Sequence, residues 1–254
     1  FDDLSRLPHV AGVVTDLEPR LAGRVLRGLR AEVTRREQVL RQLGCPDLST
    51  ARERTGEALV PRLVILVDEF AALALEHAPL LHALIDVARR GRSLGVHLIL
   101  ATQRPAGVVS DEIRANTDLR IALRLHDTAE AVDVVGDPSP ATLRRTNAGR
   151  AVLRLGPGDL VTFQCARPVD TAVAVEELIA AARAAGLVRA PRPWCDALPE
   201  LLTDVGPRVL GRFDRPDEQR QDDWVGEPVD GNLLVVAAAG SGVTTTLAGV
   251  VSRY

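Results

Sequence analysis

A chain of 254 residues, 46% of them apolar, can bury a real core as one large domain or two smaller ones, which excludes a disordered or fibrous protein. The net charge of -3 and pI near 6.0 exclude a uniformly basic nucleic-acid wrapper and leave any polyanion contact to a local patch. Methionine and lysine are both absent, so all 31 basic residues are arginine, lysine-based chemistry is unavailable, and the chain is expected to be an internal segment of a longer protein.

The cysteines Cys45, Cys165 and Cys195 are far apart and form no CxxC pair, which argues against a zinc site or disulfide framework and for a reducing cytosol. No apolar run approaches the roughly 18 residues that span a bilayer. The segment is expected to be soluble, with any membrane anchor outside it.

In chain order, HVAGVVTDL (9–17) predicts a short buried strand entering a helix, with Asp16 as N-cap and Glu18 and Pro19 in the first turn. Leu21, Val25, Leu29, Val33, Leu40 and Leu43 recur at helical spacing, and Gly44 stands just past the end. The opposite side carries Arg24, Arg27, Arg30, Arg35, Arg36 and Arg41 and reads as a solvated face rather than a DNA-facing one. Residues 46–61 turn polar and irregular, as in a surface loop.

The organising stretch is LVILVDEF (63–70), an apolar strand that ends in Asp68 and Glu69. Two carboxylates at the tip of such a strand need a metal, a partner or water to offset desolvation, so they mark a site. A helix follows over about 71–91, and then a second apolar strand, Val96 to Ala101, runs into Thr102, Gln103, Arg104 and Pro105. Apolar strands without polar alternation, separated by helices, predict a parallel sheet covered on both faces. Ligands on such sheets bind at the carboxyl ends of the strands, where Asp68, Glu69 and Gln103 all fall.

Beyond this lie a short helix near 111–115, an alternating strand at 119–125, and a hairpin of 151–155 and 160–165 about Gly156-Pro157-Gly158. A helix over 171–185 is closed by Gly186, and the arginine- and proline-rich VRAPRPW (188–194) reads as a linker. NLLVVAAAGSGVTTTLAGVV (232–251) has the strand, glycine turn and helix order of a phosphate-binding loop. Against GxxxxGK[ST], Gly242 and Thr244 match, whereas Ala237 replaces the first glycine and Val243 the lysine. Backbone amides can still hold an anion there, but the charge that reaches the outer phosphates is missing.

LVILVDEFAAL, ARRGRSLGVHLILATQRP and IRANTDLRIALRL resemble the motor domain of the FtsK/SpoIIIE family, ring-forming ATPases related to RecA. The opening FDDL and the strand VTDL are similar to tandem-domain actinobacterial members, some of which drive type VII secretion. The resemblance is strong over 1–167 and weak over 211–254. It implies an α/β fold, a RecA-like P-loop NTPase with a mainly parallel sheet between helices. Residues 1–168 would be the later part of a first ATPase domain, 169–198 a helix and linker, and 199–254 the start of a second, degenerate one.

The resemblance implies ATP and Mg2+ as ligands. Asp68 matches the metal-holding Walker B acid, Glu69 the catalytic glutamate and Gln103 the sensor of the outer phosphate. It also implies an arginine reaching into a neighbour's site, for which Arg92 is chosen over Arg89 and Arg90. In the second domain Gly240, Gly242, Thr244 and Thr245 are the candidate phosphate contacts. The parent is expected to be a homo-oligomeric, hexameric ring at the cytoplasmic face of the cell membrane. Its expected partner is DNA; the alternatives are a secreted protein substrate or a non-hydrolysing regulatory module. The segment alone is expected to have negligible ATPase activity.

Overall fold

In the computed structural model the described residues are 2–14, 19–56, 60–76, 78–104, 107, 109–167, 170–203, 205–225 and 232–252. The chain divides into two compact units, one of residues 1–15 and 33–191 and the other of 16–32 and 192–254.

In the first unit the central feature is a parallel pair, β1 (Leu63–Val67) and β2 (Val96–Leu100), in register from Leu63↔Val96 to Val67↔Leu100. They are joined through α3 (Phe70–Glu76) and α4 (Ala78–Gly91), two helices where the sequence predicts one, with residue 77 outside the described residues. Gly91 permits the tight return into β2, because a Cβ there would sit 2.5 Å from the Val96 carbonyl oxygen.

The inner face of the pair is apolar for a packing reason. Leu63 and Ile65 pack on a cluster built from Val33, Leu40, Cys45, Ala51, Val87, Leu94 and Val96. Val67 and Leu100 pack on a second cluster of Phe70, Ile85 and Ile113. The outer face departs from the expectation of a sheet covered on both sides: Val64, Leu66 and Ile99 are each more than half exposed. No element among the described residues lies over them. Parallel sheets of this composition are buried on both faces when complete.

Further departures have local causes. The strand expected over 9–17 is absent in its described part, and Asp16 lies outside the described residues. The helix α1 (Pro19–Leu43) ends at Gly44 as predicted, with φ +62 at that glycine. Its arginine face is not wholly solvated: Arg36 is buried, its guanidinium donating to the Leu94 carbonyl at 2.9 Å. Within the predicted loop 46–61 lies α2 (Leu48–Thr55), N-capped by the Asp47 carboxylate, which accepts from the Thr50 N–H, and ended by Gly56 at φ +71.

The rest of this unit is an antiparallel sheet in the order β3 (Arg120–Ala122), β4 (Arg150–Gly156) and β5 (Asp159–Gln164). The predicted hairpin is β4–β5. Before β3 comes α5 (Asp111–Ala115), and before β4 come α6 (Thr128–Val135), capped by Asp127, and the short α7 (Ser139–Thr142). Ala122, Val135 and Val152 form the core between β3, β4 and α6. The unit continues into α8 (Thr171–Ala184), capped by Asp170.

The second unit contains an antiparallel hairpin that the sequence reading missed, β6 (Val209–Arg215) and β7 (Arg220–Val225), and the terminal helix α9 (Val243–Val251). The strand expected before α9 is not formed: residues 232–238 carry no regular structure, and Leu234 is 85% exposed. No strand among the described residues pairs with them, and an apolar run alone does not make a strand.

The first turns of α1 belong to this unit, and Arg24 is buried there rather than solvated. Its guanidinium pairs with Asp214 and donates to the carbonyls of Cys195, at 3.0 Å, and Asp196, at 2.6 Å. Gly28 makes the close approach possible, since a Cβ would meet the Pro193 carbonyl at 2.4 Å.

The Arg24 hydrogen bond holds the Asp214 carboxyl below the usual carboxylate range, against an opposing push from burial, with further help from Gln221. A carboxylate lowered on folding contributes stability fully above its unfolded value near 4 and loses it as pH falls through the folded value. The second unit is therefore expected to weaken on acidification below about pH 4. Both tryptophans, Trp194 and Trp224, lie in this unit, so their fluorescence reads it directly. Asp214→Asn should flatten that part of the pH dependence; an unchanged acid transition would show the pair to be inert.

Candidate functional site

The sheet termini decide where a site can form. β1 and β2 run parallel, so residues 68–69 and 101–103 emerge on the same edge. The edge is fastened by two backbone bonds: Ala101 N–H to the Val67 carbonyl at 2.9 Å, and Phe70 N–H to the Ala101 carbonyl at 2.8 Å. Phe70, 1% exposed, anchors the start of α3 in the core directly behind the acidic pair.

Between these anchors the backbone turns sharply at Glu69, whose φ is +48, the left-handed region that glycine favours. A non-glycine residue there costs about 1–2 kcal/mol. Strain of this kind persists where the surrounding structure over-determines it, and it collects at functional sites. The turn presents the half-buried Glu69 side chain to the end of β2, where the Thr102 hydroxyl donates to its Oε1 at 3.2 Å. The Thr102 oxygen in turn accepts from the Arg104 N–H at 3.1 Å. The Glu69 carboxylate is thus oriented with one oxygen held and the other without a partner among the described residues.

Asp68 lies beside it, exposed, with Oδ1 accepting the Glu69 N–H at 3.0 Å and Oδ2 without a partner among the described residues. No group of three or more His, Cys, Asp or Glu side chains able to hold a metal occurs among the described residues. A divalent cation at Asp68 would therefore be held by one carboxylate, with water and ligand oxygens completing its shell. This is the manner in which Mg2+ binds beside phosphates, and the donor set fits that ion.

Gln103 is exposed on the same edge, one residue beyond Thr102, and its side chain bonds to nothing among the described residues. The structure thus brings Asp68, Glu69 and Gln103 together. The sequence reading passed over Thr102; its signal was a hydroxyl at a strand end facing an acidic pair on the neighbouring strand.

Arg92 is placed elsewhere, in the exposed turn that precedes β2. Five residues of strand, roughly 17 Å, separate it from the carboxyl edge. It therefore cannot serve its own acidic pair. Arg89 and Arg90 are committed to Asp86, at 2.8 and 2.7 Å, and Arg90 also to Glu37, at 3.2 Å. Arg92 has no ion pair among the described residues.

Gly240, Gly242, Thr244 and Thr245 belong to the second unit. Gly240 and Gly242 take φ +80 and +89, and Gly242 caps α9 with no side-chain hydrogen bond. Thr244 and Thr245 are exposed on the first turn, beside the uncharged Val243. The turn has the shape of an anion-binding helix N-terminus without the cation that would complete it.

Comparison with known proteins bears on this arrangement. Residues 1–107 match the model of the FtsK/SpoIIIE family. The ESX secretion system protein EccC of Geobacillus thermodenitrificans is 26% identical over 297 residues, covering 95% of this chain and 20% of that protein. The type VII secretion system protein EssC of Staphylococcus aureus is 34% identical over 158 residues, 61% of this chain and 10% of its own length. The cytoplasmic domain of the Thermomonospora curvata type VII secretion ATPase EccC superposes with a TM-score of 0.71 at 28% identity, over 86% of this chain and 29% of that one.

The chain thus spans a fifth or less of these curated relatives. The α/β P-loop ATPase fold is shared with the solved structure. DNA as the expected substrate finds no support in these names, which are those of secretion components. No helix among the described residues is long and apolar enough to cross a membrane. The acidic strand tip, Asp68 and Glu69, lies inside the segment that matches the FtsK/SpoIIIE family model.

Proposed function

We propose that this chain carries the hydrolytic edge of an ATPase module in a type VII secretion motor, and that the motor moves polypeptide. The observation that carries this reading is Glu69: a carboxylate in a strained left-handed turn at the end of β1, oriented by Thr102 from the end of β2. A base held this way is positioned to take a proton from, or polarise, an attacking water. In this reading Asp68 holds Mg2+ through its water shell, and Gln103 donates to the outer phosphate of ATP. When bound, the metal neutralises charge developing on the phosphates. Arg92, too far from its own edge, serves the site of a neighbouring copy in a homo-oligomeric ring, where its fixed fork matches phosphate oxygens.

Residues 1–168 belong, on this account, to one ATPase module and 199–254 to the start of a second. Val243 makes that second module a weak or regulatory nucleotide site. The secretion reading is preferred to DNA pumping because the relatives are secretion proteins. The test is the ATPase rate of the purified full-length parent. A polypeptide exported by the same system should raise it, and duplex DNA should leave it unchanged. Stimulation by DNA and not by polypeptide would reverse the assignment.

A further inference from the structure

Away from the acidic edge, the first unit holds a shallow, solvent-open cleft of about 810 Å³ lined by Arg114, Arg120 and Arg154, by Asp127 and Asp133, and by Thr128 at the start of α6. The three guanidiniums are not equally committed. Arg114 is neutralised by a two-pronged pair with Asp133, at 2.6 and 2.8 Å. Among the described residues Arg120 donates only to main-chain carbonyls, those of Thr117 at 3.0 Å, Val134 at 3.3 Å and Arg114 at 2.8 Å. Arg154 donates through Nε to the Gly156 carbonyl at 3.3 Å, and it has no ion pair among the described residues. The other carboxylate on the wall, Asp127, is occupied as the cap of α6, accepting the Ala129 N–H at 2.7 Å.

Three guanidiniums thus meet two carboxylates on the wall, Asp133 and Asp127, with Asp118 also acting on Arg120, and Arg154 is left without an ion pair among the described residues. Burial, then Arg154 and Arg114, lower the pKa of Arg120 against the opposing pull of Asp118 and Asp133. Charges of one sign gathered in a partly desolvated cleft repel unless a counter-charge joins them. A single carboxylate is satisfied by one guanidinium fork, whereas a tetrahedral oxyanion offers enough oxygens for two or more.

We propose that this cleft binds a phosphate-class oxyanion, with Arg154 and Arg120 as its cationic ligands and the Thr128 side chain on its wall. Its volume admits a diphosphate or the phosphate chain of a nucleotide. The site is distinct from the acidic edge and from the glycine turn before α9, and it does not depend on the function proposed above.

The test is calorimetric titration of the 254-residue chain with inorganic pyrophosphate and, separately, with ATP at low salt. Pyrophosphate is expected to bind, and Arg154→Gln to raise its Kd about tenfold or more. Arg154→Lys should restore part of the loss, and Arg52→Gln, exposed on α2, should change nothing. ATP weakened in step with pyrophosphate identifies nucleotide phosphates as the ligand; pyrophosphate binding without ATP binding identifies free phosphate compounds.

An amide NMR map of the unsubstituted chain needs no variant. Pyrophosphate should shift Thr128, Ala129 and the Arg154 Nε–H. Unshifted signals there, or an Arg154→Gln chain that binds as tightly as its parent, would overturn the proposal.

Discussion

Glu69→Gln in the full-length parent is expected to lower ATP turnover by about two to four orders of magnitude while leaving nucleotide binding intact. The amide keeps the size of the side chain and can still meet the Thr102 hydroxyl, which donates at 3.2 Å in the parent chain, so the turn should survive. What it loses is the basic oxygen. A companion substitution separates chemistry from backbone. Glu69→Gly removes the Cβ that makes φ +48 costly, so it should raise the stability of the chain by about 1 kcal/mol and still abolish turnover. Stability gained at the expense of activity is the signature of strain held for function. Turnover of the glutamine variant within a few-fold of the parent, measured as phosphate release, would remove Glu69 from the chemistry.

The second large effect lies one residue along. Phe70→Ala is expected to destabilise the chain by about 3–5 kcal/mol in urea unfolding followed by far-ultraviolet circular dichroism. Phe70 is 1% exposed and forms a cluster with Ile85 and Ile113, against which Val67, Leu100 and Val109 also pack. That cluster holds α3, α4 and α5 to the end of the parallel pair. Removing the ring leaves a cavity directly beneath the Glu69 turn, so turnover in the parent should fall along with stability. A loss below about 1 kcal/mol would mean that the core behind the site collapses to fill the space.

How much of this was legible beforehand depended on which physical signal each element carries. β1 and β2 announce themselves as unbroken apolar runs, and their ends place Asp68, Glu69 and Gln103 on one edge by parallel topology alone. The helix α2 did not, because its stabilisation is local: the Asp47 cap, the Gly56 stop and little apolar face, with Ala51 its buried residue. The β6–β7 hairpin was missed because RQDDWV reads as polar surface. Its Arg24 latch joins residues 190 positions apart, a distance that periodicity cannot bridge.

The same limit applies at the site. Nothing in the letters DEF says that Glu69 takes a left-handed backbone, or that Thr102 reaches it from the next strand. Both follow from how two strand ends are tied together. Arg92 shows the converse: spacing selected it from three arginines, and the structure adds that the other two are engaged with Asp86. The arginine face of α1 was over-generalised. Helical phase alone put Arg24 and Arg36 with the solvated residues, whereas both are buried and donate to backbone carbonyls.

The measurement that bears most directly on the central claim is a density map of the full-length parent with magnesium and a slowly hydrolysed ATP analogue. The outer phosphate is expected over the carboxyl ends of β1 and β2, the magnesium water shell against Asp68, and the Glu69 carboxylate about 3 Å from a water in line with that phosphate. Nucleotide bound elsewhere, with Asp68 and Glu69 facing bulk solvent, would contradict the account.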